Sequence, residues 1–224
     1  MLKVRGPEIP KEVADWIRQG GPFPASFSLR MNSNGAAQDY EILDRDESGL
    51  IDKLKFRTGK KGFVLRVLDP ISQRELAAKF CIPADYEFKS PLTEVELAAK
   101  LKGGDEFIQL LAMVGRVSAF DGQPTMMDQR DWVCFLSDWL DGETLQECLE
   151  NKPSIITASL VAKIAESLVL STLFLERKGY KHDDLHLGNV MLVRTDPDRL
   201  AIDPEQAPFH VKIIDLGSVK ALDR

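Results

Sequence analysis

Apolar residues follow two rhythms along this chain, and the change of rhythm falls past its middle. From Leu50 to Phe56 apolar and polar positions alternate, R-T-G-K-K-G-F-V follows at 57–64, and Val64 to Leu68 completes a strand, turn, strand pattern. Asp69-Pro70 opens another turn, and Glu75 to Cys81 (E-L-A-A-K-F-C) reads as a third strand. These three strands predict an antiparallel meander. Ser90-Pro91 then marks a helix start, with Ser as N-cap and Pro in the first turn, and T-E-V-E-L-A-A-K-L-K runs on to Gly103-Gly104. Phe107 to Val117 and Asp131 to Leu136 are the next strands, separated by D-G-Q-P at 121–124.

Beyond the connector Ser137–Gly142 the period becomes helical. Glu143 to Asn151 begins one helix and Thr157 to Lys178 a longer one, which Gly179 ends. In the longer helix Leu160, Val161, Ile164, Leu168 and Leu175 make a wide apolar face that is expected to be buried. Val190–Val193 and Phe209–Ile214 predict a hairpin whose polar connection, Arg194–Pro208, is a surface loop. The expected architecture is α+β in two lobes: a sheet-rich lobe at 50–136, the connector at 137–142, and a mainly helical lobe at 143–224. Residues 1–49 are punctuated by Pro7, Pro10, Gly20, Gly21, Pro22 and Pro24, so they are expected to form an N-terminal extension with one short helix at Lys11–Gln19.

Composition narrows the class. The 224 residues suffice for one large domain or two small lobes, at roughly 100–200 residues per domain. Hydrophobic content of 44% and charged content of 29% suit a globular protein. The net charge of −6 argues against a nucleic-acid or membrane-surface partner, but not against ATP, whose phosphates are held locally. Cys81, Cys134 and Cys148 lack C-x-x-C spacing and are expected to be reduced thiols of a cytoplasmic protein. Met1–Pro10 has no signal-peptide pattern, and no run is expected to reach the roughly 18 apolar residues of a membrane span.

The candidate chemistry is concentrated in Y-K-H-D-D-L-H-L-G-N at Tyr180–Asn189. Asp184 stands two places after His182, Asn189 five places after Asp184, and the run from Phe209 ends on Asp215-Leu216-Gly217. Asn189 and Asp215 offer hard oxygen ligands of the kind Mg²⁺ takes. Asp184 is left as a carboxylate able to orient a hydroxyl and accept its proton. Upstream, Lys79 sits in an otherwise apolar strand, where an unpaired charge is costly. The following helix offers Glu94 and Glu96 as partners. Glu94 is preferred, because Leu97 and Leu101 at +3 and +7 place it beside an inward apolar stripe.

These stretches resemble the catalytic loop and metal-binding motif of the protein kinase-like superfamily, H-x-D-L-x-x-x-N followed by D-F-G, here D-L-G. Gly59, Gly62 and Val64 match the last three fixed positions of its glycine loop, with Arg57 where the first glycine stands; A-A-K at 77–79 resembles its V-A-I-K. F-L-S-D-W-L-D-G-E-T-L at 135–145 is similar to its hinge. The resemblance implies ATP and Mg²⁺, with Lys79 on the α/β-phosphates and Glu94 fixing it. It implies the backbone of Asp138 and Leu140 at the adenine edge, Ser137 as gatekeeper, and Val64, Ala77 and Met191 on the adenine faces. Asn189 and Asp215 would hold the metal, and Asp184 would orient the acceptor.

Position 186 separates subtypes. D-L-H-L-G-N, with His186 as a phosphate donor, looks more like aminoglycoside and choline phosphotransferases than the lysine form of Ser/Thr kinases. The implied function is a Ser/Thr protein kinase. A small-molecule kinase is the alternative, and a non-catalytic nucleotide-binding scaffold is a third reading, prompted by Arg57. The family's A-P-E motif and the helices after it have no counterpart before Arg224. The chain is therefore read as truncated after D-L-G, with apolar surface exposed under the catalytic loop and a further chain or domain completing the lobe.

Overall fold

The computed structural model describes residues 24–30, 36–45, 57–59, 62–81, 91–104, 111–121, 133–194 and 209–222. Two compact units emerge, residues 1–95 with 111–139, and residues 96–110 with 140–224.

Strict alternation builds the first unit. In β4 (Gly62–Leu68) Phe63, Leu65 and Val67 enter the core, and in β5 (Glu75–Cys81) Leu76, Ala78 and Phe80 do so. Joined by β1 (Ser26–Arg30), β2 (Ala37–Ile42), β3 (Arg57–Gly59), β6 (Leu111–Phe120) and β7 (Val133–Asp138), they form an antiparallel sheet in the order β2-β1-β6-β7-β5-β4-β3. A further pairing of β2 with β4, through Glu41↔Leu68 and Ile42↔Val67, closes six of these strands into a ring. The seam continues past the strands. Leu43 N–H donates to the Arg66 carbonyl at 2.9 Å, and Arg66 N–H donates to the buried Asp44 carboxylate at 2.7 Å. Inside, Phe63 stacks on Phe80 at 4.8 Å and Phe27 meets Phe80 edge-on at 4.9 Å.

This corrects the expected N-terminal extension. Ser26–Arg30 and Ala37–Ile42 are strands, and Phe27, Leu29, Tyr40 and Ile42 lie in the core. The reason is closure: without β1 and β2, the edges of β6 and β4 would present unpaired backbone groups. The expected helix at Lys11–Gln19 and strand at Leu50–Phe56 lie outside the described residues.

The second unit is built from helix caps and short strands. The helix α1 (Pro91–Lys100) enters it from Glu96 onward, and Leu97 and Leu101 are buried with Leu175, Ile213 and Val219. A capping box starts α2 (Leu145–Asn151): Glu147 N–H donates to Thr144 Oγ1 at 3.2 Å, and Thr144 N–H donates to Glu147 Oε2 at 2.8 Å. Thr157 caps α3 (Ala158–Arg177), and Gly179 follows with φ +84, the left-handed turn at which helices commonly stop. The strands β8 (Gly142–Thr144), β10 (Val190–Arg194) and β11 (Phe209–Ile213) form one antiparallel sheet, while β9 (Tyr180–Lys181) pairs with β12 (Lys220–Ala221). At position 142 only glycine fits, because a Cβ there would lie 2.1 Å from the Leu192 carbonyl oxygen.

Two expectations change here. Among the described residues the second unit adds short strands to its helices, and Glu143 and Thr144, expected to open a helix, belong to β8. In addition α3 is not buried along its whole apolar face. Leu160, Ile164 and Leu175 are buried, but Val161, Val169, Leu170 and Leu173 stay exposed. Apolar residues thus stand on both sides of α3, which by length and composition alone could cross a membrane, a test that core helices also pass. Its buried side closes two protein cores.

Candidate functional site

Register places the first set of candidates. Val64 lies opposite Lys79, and Lys79 opposite Phe135; in the next row Arg66 lies opposite Ala77, and Ala77 opposite Ser137. The alternation that sends Phe63, Leu65, Ala78, Phe80, Cys134 and Leu136 into the ring leaves Val64, Ala77, Lys79 and Ser137 on the opposite face. Ala77 and Phe135 are buried there and Lys79 is half-buried. Gly59 and Gly62 face one another at the end of the β3–β4 hairpin, whose tip, Lys60-Lys61, lies outside the described residues. Arg57, at the departed glycine position, pairs with Val64. Glu94 belongs to α1, but its side chain lies outside the described residues, and Glu96 is exposed.

At the end of β7, Asp138 pairs with Arg74 at 2.7 Å. The Arg66 guanidinium lies 5.5 Å from the Trp139 ring and also holds Glu75. In the second unit Leu140 is buried with Met191 and Val193.

The catalytic-type loop is framed by its own hydrogen bonds. His182 is buried, and its Nε2 lies 3.3 Å from the Ile214 carbonyl. Ile214 N–H in turn donates to the Asn189 carbonyl at 3.0 Å, so both ends of Ile214 are tied to the loop. Asp215 follows in a left-handed conformation, φ 59, with an exposed side chain. Asn189 Nδ2 donates to the Asp184 carbonyl at 2.9 Å, and Asp184 N–H donates to the His182 carbonyl at 2.6 Å. Gly188 N–H donates to His186 Nδ1 at 3.1 Å, so His186 caps the short 3₁₀ turn Leu187–Asn189 and keeps Nε2 outward of that bond. His182, Asp184, Asn189 and Asp215 are thereby brought together within one unit.

The donor set fits a hard cation. Committing the Asn189 amide nitrogen to the loop leaves Oδ1 as its ligand-type atom, one residue pairing away from Asp215. No three His, Cys, Asp or Glu side chains converge among the described residues. Two protein oxygens, the rest coming from water and phosphate, is the way Mg²⁺ is commonly held. Asp184 is exposed and its side chain is left out of this frame.

Sequence reasoning passed over Asp183, whose carboxylate holds Lys220 and Lys181. The lysines spaced around it were the available signal. It also passed over Phe135, which only strand register places beside Lys79. A cleft of about 270 Å³ opens behind the loop between Leu175, Tyr180, His182 and Leu222, and Leu185 and Leu187 are exposed nearby.

No protein-family profile and no curated protein matches the sequence. Among solved structures, the chain is similar to the crystal structure of the Mycobacterium tuberculosis PknI kinase domain, with a TM-score of 0.51 and 16% identity. The match covers 80% of this chain and 60% of that chain, so this chain spans less than two thirds of the solved chain it resembles. At this identity the likeness is one of fold, and the fold is protein kinase-like.

Proposed function

We propose that the chain carries the core of an ATP- and Mg²⁺-dependent phosphotransferase whose acceptor is a Ser or Thr hydroxyl of a protein. The observation that carries this reading is the frame around Ile214. It ties the backbone of Asn189 to Ile214, the residue before Asp215, while Asp184 stays exposed with its carboxylate outside the frame. On this reading the Asp215 carboxylate and the Asn189 carboxamide would hold the metal, and the separate Asp184 carboxylate the alcohol.

Mg²⁺, when bound, neutralises charge on the transferring phosphoryl group. The chain's own residues do the positioning. Lys79 presents its ammonium to the α/β-phosphates, and Val64 and Ala77 offer an apolar face for adenine. Glu94 fixes Lys79. Gly59 and Gly62, opposite one another beside the hairpin tip, carry no side chain, so that backbone can approach phosphate there. The backbone of Asp138 and Leu140 meets the adenine edge. Asp184 holds the acceptor hydroxyl and takes its proton. His186, through Nε2, reaches a phosphate oxygen.

His186 also favours a second reading, a small-molecule alcohol acceptor, and phosphorylation of protein and aminoalcohol acceptors with labelled ATP separates the two. The exposed apolar side of α3, with Leu185 and Leu187, is offered to a further chain or domain that completes this lobe. The buried free thiols Cys134 and Cys148 fit a reducing, cytoplasmic setting.

The test is calorimetric titration with a nonhydrolysable ATP analogue, with and without Mg²⁺. Binding should require Mg²⁺, and Lys79→Met should weaken it on the order of tenfold or more through loss of a charge-assisted contact. Mg²⁺-independent affinity, or unchanged affinity and turnover in Lys79→Met, sinks the assignment. Binding with no transfer to any acceptor leaves the scaffold reading in its place.

A further inference from the structure

Two lysines face each other across the smallest sheet of the second unit. Lys181 of β9 and Lys220 of β12 are directly opposite in an antiparallel pair, where like charges repel. Asp183 relieves the conflict: its Oδ2 accepts a hydrogen bond from Lys220, and its Oδ1 lies 3.3 Å from Lys181 Nζ. It does so from left-handed backbone, φ 54, which few residues besides Gly, Asn and Asp adopt readily. The bond from Lys220 holds the Asp183 carboxyl below its ordinary range, and the same bond raises the Lys220 ammonium.

An exposed ion pair alone contributes little. Its leverage here comes from the brevity of the ladder, two residues on each side, closed beyond the strands by Leu222 N–H to the Gly179 carbonyl at 2.8 Å. Removing Asp183 does more than delete a pair, because it leaves two ammonium groups opposed across a ladder too short to hold itself. The location matters as well. Asp183 immediately precedes Asp184, and Lys220 lies five residues after Asp215, separated from it by one 3₁₀ turn and the buried Val219.

We propose that Asp183 is a positioning residue, which clamps the segment following Asp215 onto the loop that carries Asp184 and so sets the spacing of those two carboxylates. The catalytic consequence rests on the phosphotransferase reading; the clamp itself does not.

Asp183→Asn is the informative variant. Asn tolerates the left-handed backbone and keeps an acceptor oxygen, so the change removes the charge alone. Amide exchange, followed residue by residue on the chain without nucleotide, reads the clamp directly. In Asp183→Asn, exchange should quicken about tenfold at Leu222, and also at Val219 and Asp184, as local opening becomes easier. Adding Lys220→Met should restore part of the protection, because the opposed charge is gone. Unchanged exchange at all three amides overturns the clamp. Loss confined to Leu222, with Val219 and Asp184 as protected as before, overturns the positioning role. In turnover assays kcat should fall about tenfold while KM for ATP stays within about twofold, as expected when alignment and not ground-state binding is lost. An unaltered kcat also overturns the positioning role. A wild-type chain that transfers no phosphate counts against the proposed function, and the exchange pattern still decides the clamp.

Discussion

Asp184 and Asn189 show how exposure divides roles among residues a few positions apart. Asn189 is buried and spends its amide nitrogen on the loop, while Asp184 is exposed and offers its backbone to the frame but not its carboxylate. Asp184→Asn should therefore leave ATP affinity near the wild-type value and depress turnover on the order of 10²-fold, as for a positioned acid–base group. Calorimetry and single-turnover kinetics check both halves. Asp215→Asn should instead remove the Mg²⁺ dependence of nucleotide binding. A different titration belongs to the ring of strands. Burial, aided by the Asp69 charge, pushes the Tyr40 hydroxyl from 10.0 up to about 12. A raised folded-state value means that this contribution is intact below pH 10 and is lost as pH rises through about 12. Tyr40→Phe, which gives up only a weak 3.5 Å contact to Met113 sulfur, should flatten the fall in stability over that window in denaturant titrations. Burial, followed by the Glu143 charge, likewise raises the Cys148 thiol to about 11 and suits it to packing rather than reaction.

At the scale of elements, β8 and α2 form one device: a strand that pairs with β10 and then caps a helix with its last residue. Gly142→Ala would drive a methyl group into the Leu192 carbonyl, and the atoms it meets are backbone, which cannot swing aside as a side chain can. It should separate β8 from β10 and lower the midpoint of thermal unfolding by several degrees. Thr144→Ala removes only the cap, at a cost of about 1 kcal/mol. For a chain of this size that is roughly 2–4 °C. Differential scanning calorimetry distinguishes the two, and a Gly142→Ala effect no larger than that of Thr144→Ala would contradict the close approach. Helix α3 carries a second lesson. Its periodicity identified a helix with the right ends, but apolar residues on more than one side do not say which side its own chain covers.

At the scale of the molecule, the closed ring makes the first unit depend on its N-terminal strands. Deleting residues 1–45 removes β1 and β2 and bares the edges of β6 and β4. The truncated chain should bind a hydrophobic dye and lose its cooperative melt, whereas a dispensable extension would leave the melt unchanged. Phe80→Ala, at the meeting point of Phe27 and Phe63, should cost about 3–5 kcal/mol by denaturant titration.

Much of this was legible in one dimension. Alternation marked β4 and β5, a Ser-Pro start and a 3.6-residue period marked α1 and α3, and D-L-H-L-G-N with D-L-G marked the loop, because each is a local pattern that a few neighbouring residues enforce. That locality is also why the likeness to a kinase fold could be read from motifs at all. Closure of the ring could not be read so. The pairing of Ile42 with Val67, and the row Val64–Lys79–Phe135, join residues far apart in sequence, whose partnership is decided by which edges need covering. The same holds for Asp183, an unremarked residue inside a motif until β12 returns Lys220 to face Lys181. Local chemistry determined which groups this protein carries; tertiary pairing alone decided which of them meet, because backbone hydrogen bonds and opposed charges are satisfied only when distant segments arrive together.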